Sequence, residues 1–426
     1  MSDTRTIEPA RALRGTLRMP GDKSSSHRAL LLSALSDGDS TIVGLSSGED
    51  VRATTRIIEQ LGASVTRGDD QVTVSGPADG LRASNEPLDC GNSGTTMRLV
   101  AGIVSAIEGA HELVGDASLS RRPMDRVAVP LRLMGAQLRG DGAQLTAPLH
   151  VQGHSPLRAI AYDVPMPSAQ VKSAVLFAGL NANGHTQVSE HVRTRSTTET
   201  MMRHCGLTLH SVDQGSGRRV TVTPGRPEPT TWRIPGDPSQ AAFFAVLGAV
   251  HENASIDVLD LDDAPERIGF VSVMVRMGAR LSWRRDEGAT LRSESAALVG
   301  TEVFAHEIPS VDEVPALTVA AAAARGLSVF RDMGELRVKE SDRFASSMAL
   351  ASALGCRVWS EGDDFFIDGL GSARSFSTFS LDAGLDHRMV MSAAVAAYAG
   401  NGGTIEGADT VSSSYPGFFD DVAALQ

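Results

Sequence analysis

A pattern that returns every seventy-odd residues limits this chain more than any other feature. Leu, Met or Cys, then Gly, then a short hydrophobic stretch occurs at Leu61-Gly62-Ala63, Met134-Gly135-Ala136, Cys205-Gly206-Leu207, Met277-Gly278-Ala279 and Leu354-Gly355-Cys356. The glycines stand 73, 71, 72 and 77 residues apart. Each follows a helical pattern, of which Val51–Gln60 and Arg267–Arg276 are clear cases, and precedes alternating residues such as Val72-Thr73-Val74. A glycine just past a helix C-terminus, free to turn left-handed, accounts for the signature when strands follow it. A second series of helices keeps the same rhythm, opening on polar residues near Ser24, Gly94, Ser168, Ser239, Asp312 and Asp386. Six βαβαββ units therefore account for the chain, which places it in the α/β class. No Gly-x-Gly-x-x-Gly follows a predicted strand, which argues against six independent Rossmann-like units.

The sixth unit stops at Gln426 after its second helix, without final strands. The strand-like stretches Arg5–Pro9 and Leu13–Met19 could supply them. That gives one domain of three repeats over 21–236 and a second over 237–426, closed by residues 1–20. A chain of 426 residues is long enough for two such cores. The polar stretch from Met1 to Pro20 has no apolar h-region, so no signal peptide is expected. The longest apolar runs, Gln240–Val250 and Val314–Ala324, are too short to span a bilayer and read as buried helices. Cys90, Cys205 and Cys356 are odd in number and lack metal-ligand spacing, which fits core thiols in a reduced cytosol.

A net charge of -12 should repel nucleic acid and anionic membrane, so an anionic ligand would need basic groups gathered locally. Of 39 basic residues only Lys23, Lys172 and Lys339 are lysines. Where arginine is so dominant, a lysine suggests a position that needs a compact ammonium rather than a planar fork. All three fall in segments that open helices or lie close to their starts, where unpaired N–H groups favour anions. These are Gly21-Asp22-Lys23-Ser24-Ser25-Ser26-His27-Arg28, Pro167-Ser168-Ala169-Gln170-Val171-Lys172-Ser173 and Leu336-Arg337-Val338-Lys339-Glu340-Ser341-Asp342-Arg343. Gly91-Asn92-Ser93-Gly94-Thr95-Thr96-Met97-Arg98 brings two glycines that let the backbone approach a ligand. Val311-Asp312-Glu313-Val314-Pro315 and Leu385-Asp386-His387-Arg388-Met389 complete the set, with Arg122 and Arg195 as further basic groups. Helical spacing puts Lys339 and Arg343 on one face, with Glu340 pointing elsewhere.

These segments, in this order and over essentially the full length, make the chain resemble the 5-enolpyruvylshikimate-3-phosphate synthase family. The resemblance implies two domains of three βαβαββ repeats, an inside-out α/β barrel, hinged near residues 20 and 237. It implies a transferase of the shikimate pathway to chorismate and the aromatic amino acids, and a target of glyphosate. Shikimate 3-phosphate would lie against Lys23, Ser24, Arg28, Ser168, Ala169, Gln170, Arg195, Asp312 and Lys339. Phosphoenolpyruvate would lie against Lys23, Gly94, Arg122, Gln170, Arg343 and Arg388. Most of the shikimate 3-phosphate contacts would then fall in the 21–236 domain. Ala169, Leu99 and Arg195 lean toward the second of the family's two types, and Ser413 stands where the first type has a phosphate-binding lysine.

Two phosphorylated substrates need several cations close together, which implies an open free state that closes around the anions and excludes water. Asp312 would take the proton of the attacking hydroxyl, while Glu340 and Lys23 share the proton transfers at C3 of phosphoenolpyruvate. No metal or other cofactor is expected, and the protein is expected to be a cytoplasmic monomer. Two alternatives differ from this reading at particular residues. The sister transferase acting on UDP-N-acetylglucosamine usually carries a reactive cysteine in the loop that corresponds to Gly115–Arg121, where this chain has none. A non-catalytic anion-binding repeat protein would not need acids paired with bases at equivalent helix starts in both halves.

Overall fold

The structure, a computed structural model, describes residues 3–285, 288–309 and 311–426. The chain divides into two compact bodies, one of residues 21–234 and one of residues 1–20 with 235–426. The first holds helices α1 (Lys23–Leu35), α2 (Glu49–Gln60), α3 (Gly94–Val104), α4 (Asp125–Leu133), α5 (Ala169–Gly179) and α6 (Thr197–His204). The second holds α7 (Pro238–Val250), α8 (Gly269–Arg276), α9 (Val314–Ala323), α10 (Arg343–Ala353), α11 (His387–Ala399) and α12 (Phe418–Ala424).

Each repeat builds one small sheet to a common plan, which the second repeat shows. Leu88–Asp89 runs parallel to Gly109–Val114 across the crossover helix α3. Gly109–Val114 pairs antiparallel with Thr146–Gly153, which pairs antiparallel with Gln137–Asp141. A parallel pair needs a long crossover, whereas the last two strands need only a turn, so the βαβαββ order follows from the pairing. The five signature glycines, Gly62, Gly135, Gly206, Gly278 and Gly355, follow α2, α4, α6, α8 and α10 with φ between 81° and 108°. Their left-handed backbone is the physical content of the repeat.

The N-terminal strands divide differently from expectation. Thr4–Ile7 pairs antiparallel with Gly403–Glu406 and completes the three-stranded sheet of the sixth repeat. Leu13–Arg18 does not join that sheet; it lies parallel to Ala254–Leu261 and opens the sheet of the fourth repeat. The reason is where the second body begins. From residue 235 the chain reaches α7 at Pro238 with no length for a strand, so the fourth repeat borrows one. The first repeat meets the same shortage and borrows Thr231–Arg233, parallel to Gly38–Val43. Without these loans a sheet edge in each body would be left bare.

In the second body, every residue of α7, α9 and α11 is buried, and these helices pack against one another. Past the polar first turns of α7 and α11 they are apolar on nearly every face, as enclosed helices tend to be. In the first body, α3 packs on α1 and α5. The approach to α5 is so close that a Cβ on Gly102 would fall 2.3 Å from the Ala174 carbonyl oxygen. The alternate helices are outer ones: α2 exposes Arg52, Arg56, Glu59 and Gln60 while it buries Val51, Ile57 and Ile58. Buried helix starts therefore carry the motifs, and the outer helices brace them.

Candidate active site

In the first body the starts of α1, α3 and α5 are each capped by a side chain. Asp22 accepts from the Ser25 amide at 2.7 Å, Ser93 from the Thr96 amide at 3.1 Å and Ser168 from the Val171 amide at 3.3 Å. These caps hold the first turns in place. Lys23 then reaches Asp50 in the first turn of α2, 2.8 Å away, with 14% of its side chain exposed. Arg28, one turn along α1, is buried and donates to Thr198 Oγ1 at 2.5 Å, Ser173 Oγ at 2.9 Å and the Ser24 carbonyl at 2.8 Å. Arg195 donates to Ser24 Oγ at 3.5 Å. Gln170 accepts from Arg98 at 2.5 Å and donates to Thr95 Oγ1 at 2.9 Å, which fixes the orientation of its carboxamide. Arg122 is buried and donates to Asn92 Oδ1 at 2.9 Å and Ser118 Oγ at 3.2 Å. A Cβ on Gly94 would stand 3.2 Å from a guanidinium nitrogen of Arg122 and 3.0 Å from one of Arg98.

His27, fully buried on the same helix, donates to or accepts from Thr54 Oγ1 at 2.7 Å. Burial lowers its pKa well below the ordinary value, and the charges of Lys23 and Arg28 lower it further, against a smaller opposing effect of Asp22. The cluster is thus two cations around a neutral imidazole.

In the second body, Arg343 is the centre of a cage of acids. Its side chain is fully buried. It meets Asp386 with both ends of its fork, at 2.7 and 3.1 Å, Glu340 at 2.8 Å and Asp312 at 3.1 Å. Burial alone would lower the guanidinium pKa, but the charges of Asp386 and Glu340 and the hydrogen bond to Asp386 outweigh it, and the net shift is upward. Asp386 also caps α11 by accepting from the Arg388 amide at 2.9 Å. Arg388 in turn donates to the Asp312 carbonyl at 3.1 Å and lies 3.7 Å from its carboxylate. Two candidate proton carriers, Asp312 and Glu340, are therefore tied to one arginine, and Asp312 is flanked by a second.

Two local expectations are corrected here. Lys339 and Arg343 do not share a helical face. Met333–Val338 is a 3₁₀ turn, and α10 starts afresh at Arg343 behind its cap Asp342. Lys339 pairs instead with Glu335 at 2.7 Å, and Glu340 turns toward Arg343 rather than away from it. The helix α9 opens next to Asp312 as expected, with Glu313 in the capping position but without a side-chain capping bond, and Asp312 faces the arginines. The opening near Gly94 is borne out: Gly94 is the first residue of α3, and Ser93 caps it.

The EPSP synthase (3-phosphoshikimate 1-carboxyvinyltransferase) family matches residues 7–422 of the chain. The chain belongs to that family. The 3-phosphoshikimate 1-carboxyvinyltransferase of Streptococcus equi subsp. equi (strain 4047) is 39% identical over 425 residues, 98% of this chain and 98% of its own. The solved structure of EPSP synthase from Acinetobacter baumannii is similar with a TM-score of 0.85 at 36% identity, over 100% of this chain and 98% of that one. The enolpyruvyl transferase NikO from Streptomyces tendae shares the fold, with a TM-score of 0.79 at 17% identity over 100% and 98% of the two chains. As an EPSP synthase family member the chain is a transferase with the two-domain, inside-out α/β architecture.

Several residues of these clusters have no assigned role in the sequence reading. Asp386 opens its helix as the sequence predicts, by capping α11, but its hold on Arg343 was not foreseen. Asn92, Thr95 and Arg98 stand in one motif, but their partners lie on elements that only the fold brings together; Asp50 and Thr198 carry no local signal. Among the described residues no group of three or more His, Cys, Asp or Glu is placed to hold a metal ion. No helix among them is long and apolar enough to cross a membrane.

Proposed function

We infer that the chain transfers the enolpyruvyl group of phosphoenolpyruvate to the 5-hydroxyl of shikimate 3-phosphate and releases phosphate by addition and elimination. The transfer is the reaction of its family. The assignment of residues is our reading, and the observation that carries it is the pair of acids, Asp312 and Glu340, held on the buried Arg343. Asp312 accepts the hydroxyl proton as that oxygen attacks C2 of phosphoenolpyruvate, and C3 gains a proton. The resulting tetrahedral adduct then loses a proton from C3 as the C2–O bond to phosphate breaks. Glu340 and Lys23 carry the two C3 transfers. Shikimate 3-phosphate lies against Lys23, Ser24, Arg28, Ser168, Ala169, Gln170, Arg195, Asp312 and Lys339. Phosphoenolpyruvate lies against Lys23, Gly94, Arg122, Gln170, Arg343 and Arg388, with arginine forks on its carboxylate and phosphate.

The three free cysteines are buried. Burial pushes Cys205 and Cys356 up to about 11 and raises Cys90 as well, so none is a ready nucleophile. That supports a cytoplasmic enzyme; we further propose that it acts as a monomer and binds glyphosate in place of phosphoenolpyruvate. Phosphate release from phosphoenolpyruvate is the test, with shikimate 3-phosphate or UDP-N-acetylglucosamine as acceptor. Release with the first alone is expected; release with the second, or with neither, overturns the reading.

A further inference from the structure

Lys172 has no part in the reaction above, although it is one of three lysines in a chain with 39 basic residues. It lies in α5, two residues after Gln170. Only 1% of its side chain is exposed, and the same holds for Glu190 and Glu199. The ammonium stands 2.8 Å from Glu190 Oε2 and 2.7 Å from Glu199 Oε1, and it donates to the Arg195 carbonyl at 3.1 Å. Two of its donors go to Glu190 Oε2 and the Arg195 carbonyl, and the Glu199 carboxylate stands beside them in ion-pair contact. A planar guanidinium cannot converge on the same three oxygens without displacing one, which explains a lysine where arginine prevails elsewhere.

The three oxygens belong to one stretch of chain. Glu190 ends the strand Thr186–Glu190, Arg195 lies in the loop that follows, and Glu199 is in the first turn of α6. Lys172 therefore fastens residues 190–199 to α5 at both ends and in the middle. Thr194 adds a hydrogen bond to the other oxygen of Glu190. The fastened stretch carries Arg195, which donates to Ser24 Oγ at 3.5 Å. It also carries Thr198, whose hydroxyl takes the Arg28 Nε hydrogen bond at 2.5 Å and meets Ser173 Oγ at 2.6 Å.

We propose that Lys172 is a positioning residue for shikimate 3-phosphate: it sets the place of Arg195 and Thr198, and through Thr198 that of Arg28. The inference rests on the assignment of that substrate to Ser24, Arg28 and Arg195. It predicts a selective loss. Phosphoenolpyruvate is assigned to Gly94, Arg122 and Gln170, whose partners Arg98, Thr95, Asn92 and Ser118 lie outside the fastened stretch.

The test is steady-state phosphate release with each substrate varied in turn, on the wild type, Lys172→Arg and Glu199→Gln, with a melting curve for each. Lys172→Arg is expected to raise KM for shikimate 3-phosphate tenfold or more while KM for phosphoenolpyruvate moves less than threefold. Glu199→Gln keeps the Lys172–Glu190 pair and is expected to shift the same constant in the same direction by threefold or more. If Lys172→Arg fails to fold, Glu199→Gln alone decides. Folded variants with an unchanged KM for shikimate 3-phosphate overturn the proposal. So does a parallel loss in kcat and both KM values that follows the melting temperature, because a purely structural pin would give that. The wild type separates the two levels: if it does not turn over shikimate 3-phosphate, the substrate assignment fails; if it does and the variants show no split, only the role of Lys172 fails.

Discussion

Gly94 is the first residue of α3, and its backbone is not in the left-handed region, so alanine there brings no backbone strain. What the added methyl meets is the pair of guanidinium groups of Arg98 and Arg122, at 3.0 and 3.2 Å. Both must give way by a few tenths of an ångström, and Arg122 is assigned to phosphoenolpyruvate. Gly94→Ala should therefore leave the melting temperature near the wild-type value. Glyphosate, longer than phosphoenolpyruvate, should lose most, by about 1–3 kcal/mol or roughly one to two decades in inhibition constant. Phosphoenolpyruvate should lose less, and shikimate 3-phosphate least. Equal losses for all three ligands together with a lower melting temperature would show a damaged loop instead. At Lys23 the question is proton transfer rather than space. Its ammonium is held 2.8 Å from Asp50, with both side chains largely buried. Lys23→Arg keeps the charge but cannot readily release a proton, so kcat should fall by roughly two or more decades with the fold intact. Near-normal turnover would leave Lys23 an electrostatic role only.

Within α1, buried His27 makes stability depend on pH in a definite direction. Its folded pKa is depressed well below 6.5, so the unfolded chain binds the proton first as pH falls. Above about pH 7 neither state is protonated and the residue contributes no pH dependence. Below pH 6.5 the unfolded state gains, and stability drops until the folded pKa is reached. Between about pH 7 and pH 5 the wild type should lose more melting temperature than His27→Gln, and equal slopes would remove His27 from the account. Such a feature is legible in the sequence only in part. His27 stands in the motif with Lys23 and Arg28, but nothing local says that Thr54 and Thr96 seal it from water. The same boundary runs through the fold. Helix ends and strand order within a repeat follow from the signature glycines and the alternating residues, because both are local. The loan of Leu13–Arg18 to the fourth sheet depends on pairing across 241 residues, from Leu13 to Ala254, and period alone could not assign it. At the acid cage the spacing of Lys339, Glu340 and Arg343 suggested an unbroken helix. The cap at Asp342 and the preceding 3₁₀ turn reset the phase, so Lys339 and Arg343 lose their shared face and Glu340 turns toward Arg343.

Taken whole, the molecule should be separable at its crossings. Residues 21–234 form one body from a continuous stretch, with a core of their own and with Thr231–Arg233 closing the first sheet. The other body is made of two pieces, and the places where they are cut lie side by side: the Asp237 amide donates to the Pro20 carbonyl at 3.0 Å. If 21–234 is removed and residue 20 joined to residue 235, the junction reads Pro20-Pro235-Gly236-Asp237, and that bond becomes the closing bond of a β-turn. Proline second and glycine third are the residues such a turn favours. Both pieces, the excised 21–234 and the spliced remainder, should fold and melt cooperatively when made separately. On the residue assignment proposed above, neither should release phosphate from phosphoenolpyruvate, because that assignment draws Lys23, Arg122 and Gln170 from one and Asp312, Glu340 and Arg343 from the other. The control is a chain that lacks residues 1–20 instead. It strips the opening strand from the fourth sheet and a strand from the sixth, and it should fail to fold the second body at all. Circular dichroism and calorimetry on the three proteins decide the matter. A spliced remainder that stays unfolded, or a chain without residues 1–20 that melts like the full protein, would show that the bodies do not close on themselves in the way the borrowed strands require.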